Sequence, residues 1–165
     1  AGFMLADLLL NDGDFSDISS AKFKGSLYKK SSLLILKPNT FMNASGQSAL
    51  IVREFYKIER VMVAHDDIDL NLGDLRFKLG GSSGGHNGIK SLDAMIGNQY
   101  ERIRIGVGRG ECGVIDFVLG KFSDDEKALL DPVLQSAKSA VYSALNGADI
   151  KELSSKFSLK AKKQN

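Results

Sequence analysis

The 165-residue chain has no tryptophan, one cysteine, two prolines and two histidines. A lone Cys112 cannot build an internal disulfide framework, so the fold stands on its core. Its place in a Gly-rich connector, with no histidine near it in sequence, also argues against a cysteine nucleophile. No apolar run approaches the ~20 residues of a membrane span. The spacings H-E-x-x-H and C-x-x-C are absent, so His65, Asp66, Asp67, Asp69 and His86 do not read as a metal site, and no cofactor is implied. Asn43-Ala44-Ser45 has the letters of a glycosylation sequon, but nothing else suggests secretion. The chain reads as a cytoplasmic protein of a reducing compartment. Its net charge of +2 is too small to argue for nucleic acid, so the placement of charge matters more than the sum.

What is present fits one globular domain, residues 1–165, able to bury a real core: 43% of residues are apolar and nine are Phe. Ala1 to Leu10 is helical in pattern, and Asn11-Asp12-Gly13 ends it. Ala21 to Tyr28 alternates as a strand with one wet face, and Lys29 to Ser31 is a hairpin turn. Leu33 to Leu36 suits a central strand covered on both faces. Ala49, Val52, Phe55 and Tyr56 mark a helix with Asn43 near its first turn, and Ile103, Ile105 and Val107 alternate with a cationic face of Arg102 and Arg104. Gly108, Gly110 and Gly113 spell a dinucleotide fingerprint with no helix after it, which makes that loop a plain connector. Ser123 and Glu126 form a capping box ahead of a long amphipathic helix to Gly147, which Pro132 should kink or split. Ile150, Leu153 and Phe157 suggest a last helix before a solvated, fraying basic tail. This order of elements predicts an α/β fold: a single-domain three-layer sandwich with a mixed β-sheet flanked by helices.

The chemistry concentrates between Val61 and Leu92. The apolar run Val61 to Ala64 stops at His65, Asp66, Asp67 and Asp69, which delivers ionisable groups where a strand ends. A second strand, Leu75 to Leu79, enters a loop from Gly80 to Gly85 whose glycines allow positive φ and close backbone approach. Ile89, Leu92, Met95 and Ile96 then recur at helical spacing, so His86 and Asn87 lie at a helix start among unpaired N–H groups. These parts suit the orientation of a base and the holding of a carbonyl and a water.

Four ordered stretches carry a resemblance: Leu36 to Gly46, His65 to Leu70, Lys78 to Gly88, and Arg104 to Gly108. Together they resemble the bacterial-type peptidyl-tRNA hydrolases over essentially the whole chain. The resemblance implies an esterase that cleaves a peptide from the terminal adenosine of tRNA, with a histidine as general base, recycling tRNA from prematurely released peptidyl-tRNA. It implies a catalytic set of Asp66, Asn43 and Asn87, with His86 as a further candidate, Asp66 orienting the base. Phe41, Asn43 and Asn87 would bind the peptidyl-adenosine end, and Lys78 and Arg104 would clamp the tRNA 5′-phosphate. Peptidyl-tRNA is then the partner, with no membrane and no obligate protein partner, and a monomer is expected.

In that family a strand, a Gly-Asn-Pro-Gly turn and an Arg-His-Asn motif precede the residues matching Ala1-Gly2-Phe3. The general base is therefore expected outside residues 1–165, the chain is expected to be N-terminally incomplete, and by itself inactive. Neither His65 nor His86 takes the role of base on this reading. Two other classes stay open at this level: a non-catalytic tRNA-binding module that lacks the base, and a nucleotide-binding enzyme that cradles phosphate with Gly80 to Gly85 but lacks the Lys-Ser/Thr ending of a P-loop.

Overall fold

The computed structural model describes residues 2–39, 45–108 and 122–161. Among the described residues six strands and five α-helices interleave: α1 (Gly2–Leu10), β1 (Ser16–Asp17), β2 (Gly25–Lys30), β3 (Leu33–Pro38), α2 (Ser45–Tyr56), β4 (Met62–Asp67), β5 (Leu75–Leu79), α3 (Asn87–Ile96), β6 (Glu101–Gly106), α4 (Asp124–Leu145) and α5 (Ile150–Phe157). The α/β class expected from the sequence holds, with the strands in two small sheets flanked by helices. By compactness the chain divides into two units. One comprises residues 1–11, 62–78 and 101–165, the other residues 12–61 and 79–100.

In the second unit β1, β2 and β3 form an antiparallel sheet in that order. The two-residue connection Ser31-Ser32 closes the β2–β3 hairpin, with Lys30 paired to Leu33 and Ser31 at φ 55°. Two expectations change here. Ala21–Phe23 is a 3₁₀ turn rather than the start of a strand, because Phe23 and Lys24 donate back to Ser20 and Ala21 and Lys24 adopts the left-handed conformation. This turn drives Phe23 into the core with Leu27 and Val52, which local alternation could not signal. β3 is also not central: β2 holds the middle and, among the described residues, β3 pairs with β2 alone. Phe23, Phe55 and Tyr56 pack edge-on or tilted around the half-exposed Phe55 ring, with Lys22 Nζ 3.8 Å from its centroid. α2 and α3 meet at Gly46, where a Cβ would lie 2.1 Å from the Ser91 carbonyl oxygen, so only glycine permits the approach.

In the first unit β6 lies between β4 and β5. β4 and β6 run parallel, with Ala64 opposite Ile103 and His65 opposite Arg104. α1 packs on β4 and on α4, and α4 packs on α5. The buried residues of α4, Leu130, Val133, Leu134, Ala137, Ala140 and Val141, follow the three-and-four spacing that an apolar stripe requires. Its Ser123–Glu126 capping box is formed. Pro132 does not split the helix. Pro132 and Ala128, whose carbonyl loses its partner, are both exposed, so the defect lies at the surface and not in the core.

The basic tail is not frayed through Ala161. Leu75 and Leu159 exchange backbone hydrogen bonds, the Arg76 guanidinium donates to the Leu159 carbonyl, and Ser136 Oγ donates to the Phe157 carbonyl at 2.8 Å. Asp74 completes the attachment. Its buried carboxylate accepts from Asn71 N at 3.0 Å and from Ala161 N at 2.6 Å, while its carbonyl accepts from Gly106 N at 3.0 Å. One side chain thus joins the β4–β5 connection and the C-terminal segment, and its backbone meets the end of β6. Asp74→Ala leaves two N–H groups without this acceptor, and should lower unfolding free energy by roughly 1–3 kcal/mol in urea titration at constant m. A loss well under this range would show that water replaces the carboxylate.

Candidate active site

β4 does not end where its apolar run ends. The strand continues through His65, Asp66 and Asp67, because β6 supplies a partner for each of them. Side chains alternate along a strand, so Asp66 points to one face with Ala64, while His65 and Asp67 point to the other with Arg104. α1 begins on the Asp66 face: a Cβ at Gly2 would lie 2.6 Å from the Ala64 carbonyl oxygen. Asp66 is buried, 5% exposed, which suits a group that orients another residue more than one that turns in solvent.

On the opposite face Arg104 Nε donates to Asp67 Oδ2 at 2.8 Å, and Asp67 Oδ1 accepts from Asp69 N at 2.9 Å. The carboxylate is gripped from both sides. Burial pushes the Asp67 carboxyl up, but the Arg104 hydrogen bond, the Asp69 N–H and the Coulombic pull of Arg104 and His65 outweigh it and hold the group below its ordinary carboxylate value. The cationic face expected of β6 is therefore corrected: Arg102 is buried, and Arg104 is ion-paired with an acid from the neighbouring strand. Parallel pairing across distant segments decides this, and no local pattern in Arg102 to Val107 could show it.

The two histidines have defined hydrogen-bonding roles. His65 Nδ1 lies 2.9 Å from the Asp66 carbonyl oxygen, an acceptor, so this nitrogen carries the proton. His86 is the N-cap of α3 and its Nδ1 accepts from Ile89 N at 3.2 Å. The neutral His86 ring then bears its proton on Nε2, which leaves no nitrogen ready to take one from water. Asn87 follows as the first residue of α3 and is exposed. The loop before it behaves as its composition predicts, with Gly80, Gly81, Gly84 and Gly85 all at positive φ. Lys78 is exposed on β5, the strand next to β6 and its Arg104. Phe41 and Asn43 lie outside the described residues, as do Cys112 and the connector that holds it.

Among the described residues no three His, Cys, Asp or Glu side chains gather as a metal site, and no helix is long and apolar enough to cross a membrane. What the first unit assembles is a buried carboxylate on one face of β4 and an arginine steadied by a second carboxylate on the other. What the second unit assembles is an exposed amide at the start of a capped helix, behind a glycine loop.

The sequence model of the peptidyl-tRNA hydrolase family matches residues 1–165, and the chain belongs to that family. It is 58% identical over 160 residues to the peptidyl-tRNA hydrolase of Campylobacter fetus subsp. fetus, which spans 97% of this chain and 88% of that protein. The peptidyl-tRNA hydrolase of Campylobacter jejuni is 58% identical over 161 residues, with the same shares. Among solved structures, a point mutant of peptidyl-tRNA hydrolase from Acinetobacter baumannii superposes with a TM-score of 0.86 at 32% identity, over 94% of this chain and 83% of that one. Peptidyl-tRNA hydrolase from the same organism gives 0.80 at 31% identity, over 92% and 83%.

The depressed Asp67 carboxyl makes a signed prediction. A carboxyl lowered by the fold contributes stability that is present above its unfolded value near ~3.9 and is lost as pH falls through the lower folded value. The native protein should therefore exceed Asp67→Asn in unfolding free energy by more at neutral pH than at pH ~3. Urea titrations at the two pH values measure the gap; one that widens on acidification would mean the carboxyl is not held low.

Proposed function

We propose that this protein hydrolyses the ester bond between peptide and tRNA in peptidyl-tRNA, and so recycles tRNA from prematurely released peptidyl-tRNA. Its family membership over residues 1–165 carries the reading. It acts as one functional domain, a cytoplasmic monomer that needs no cofactor and no obligate protein or membrane partner. A purely tRNA-binding role has no observation in its favour that hydrolysis lacks.

On this reading Asp66 orients a general-base histidine, which fixes its tautomer and steadies the imidazolium that grows in the transition state. The base is neither His65, which is buried on the face of β4 opposite Asp66, nor His86, whose Nδ1 caps α3. Asn43 and Asn87 hold the ester and water, with Phe41 against the terminal adenosine, and the backbone N–H groups at the start of α3 favour the developing oxyanion.

The natural enzyme should release peptide from peptidyl-tRNA and spare aminoacyl-tRNA with a free α-amino group, with or without a chelator. Asp66→Asn should lower kcat strongly, leave tRNA affinity nearly intact and move the apparent pKa of the base down, since a lost neighbouring carboxylate makes imidazolium less favourable. His86→Asn, which keeps a capping acceptor, should retain kcat. Normal kcat in Asp66→Asn, or an upward shift, would return Asp66 to a structural role; collapse in His86→Asn would make His86 the base.

Lys78 and Arg104 bind the tRNA 5′-phosphate. Replacing either with Ala should weaken binding to intact tRNA and reduce the salt slope by roughly one, because each phosphate contact releases about one counterion. Equal damage on a minimal peptidyl-adenosine substrate would move these residues to the ester.

A further inference from the structure

We propose that Asp67 is the positioning residue of the phosphate-binding arm: it holds Arg104 by Nε so that the η nitrogens form a preset fork for the 5′-phosphate. The inference rests on the reading that Arg104 binds that phosphate. A guanidinium has one inner donor, Nε, and an outer pair of η nitrogens that match two phosphate oxygens. Asp67 occupies the inner one at 2.8 Å. Among the described residues it is the one acceptor that the Arg104 guanidinium meets, and the arginine side chain is 27% exposed against 12% for Asp67. The carboxylate is thus the less exposed partner, and the arginine side chain keeps part of its surface in solvent.

The carboxylate is itself immobilised. Asp69 N donates to its other oxygen at 2.9 Å, and Val107 N donates to the Asp67 carbonyl at 3.1 Å, so both backbone and side chain of Asp67 are fixed to the end of the β4–β6 pair. A flexible arginine searching many rotamers must be ordered when phosphate arrives; one tethered at Nε is ordered beforehand. The tether has a second effect. Asp67 neutralises the arginine at long range, so anions at a distance feel little attraction, while a phosphate that reaches the η nitrogens still finds directional donors. The pair thus selects a terminal phosphate placed in register over the general backbone charge of RNA.

The test uses the natural enzyme with peptidyl-tRNA bearing its 5′-phosphate and the same tRNA after phosphatase treatment. The readout is discrimination, KM for the dephosphorylated substrate divided by KM for the phosphorylated one. Asp67→Ala should reduce discrimination by about tenfold, the size of one well-placed charge-assisted contact, with the change in KM and not in kcat. Asp67→Asn keeps a carbonyl oxygen for Nε and should restore discrimination to within about threefold of native. The double variant Asp67→Ala with Arg104→Ala should discriminate no less than Arg104→Ala alone, since the first residue acts through the second.

Native discrimination after Asp67→Ala, or an Asp67→Asn as impaired as the alanine form, overturns the positioning role while the phosphate reading stands. Loss that appears in kcat overturns it as well. If Arg104→Ala itself leaves discrimination native, the phosphate reading has failed first, and the two failures are distinguished.

Discussion

The parallel pairing of β4 with β6 is the constraint on which the chemistry depends. Setting His65 opposite Arg104 and Asp66 opposite Ile105 decides which acid faces which neighbour. A slip of one residue would exchange the faces, placing Asp67 where Asp66 now sits and pulling Arg104 away from its carboxylate. Register is secured at the end of the pair, where a Cβ on Gly106 would lie 2.1 Å from the Asn71 carbonyl oxygen and so a side chain there is excluded. The connection after β4 can thus lie directly on β6, and Gly108 N and Val107 N reach back to Leu70 and Asp67.

Two adjacent acids then acquire different tasks from environment alone. Asp66 is buried on the face where α1 starts, and Asp67 is tied to a cation and to the turn that follows. The ion pair is partly exposed, so its value for stability is modest, and its value for geometry is greater. His86 shows the same economy of placement, closing the first turn of α3 so that exposed Asn87 is presented at a rigid position.

Much of this was legible in the residues. The strand Leu75 to Leu79, the helix from Asn87 with His86 at its start, the glycine loop and the Ser123–Glu126 box are set by local pattern and cap chemistry, and all are observed. What local pattern could not reveal came from partners far off in sequence. Phe23 leaves its apparent strand because Phe55 and Tyr56 provide an apolar socket. β4 outlasts its apolar residues because β6 pairs with the polar ones, and Arg104 loses its free charge to Asp67 for the same reason. Pro132 is tolerated because its defect faces water.

The attachment of Ala161 to Asp74 has a consequence for the order in which the molecule is made. The carboxylate that joins the β4–β5 connection to the C-terminal segment waits for an N–H synthesised 87 residues later. Contacts of such sequence separation close late and carry a large loop entropy. A nascent chain on the ribosome can therefore form the hairpin of β2 and β3 early, while Asp74 stays half-satisfied until residue 161 emerges. The β4–β5 connection therefore gains this tether only after residue 161 has been made, a vectorial delay written into one side chain.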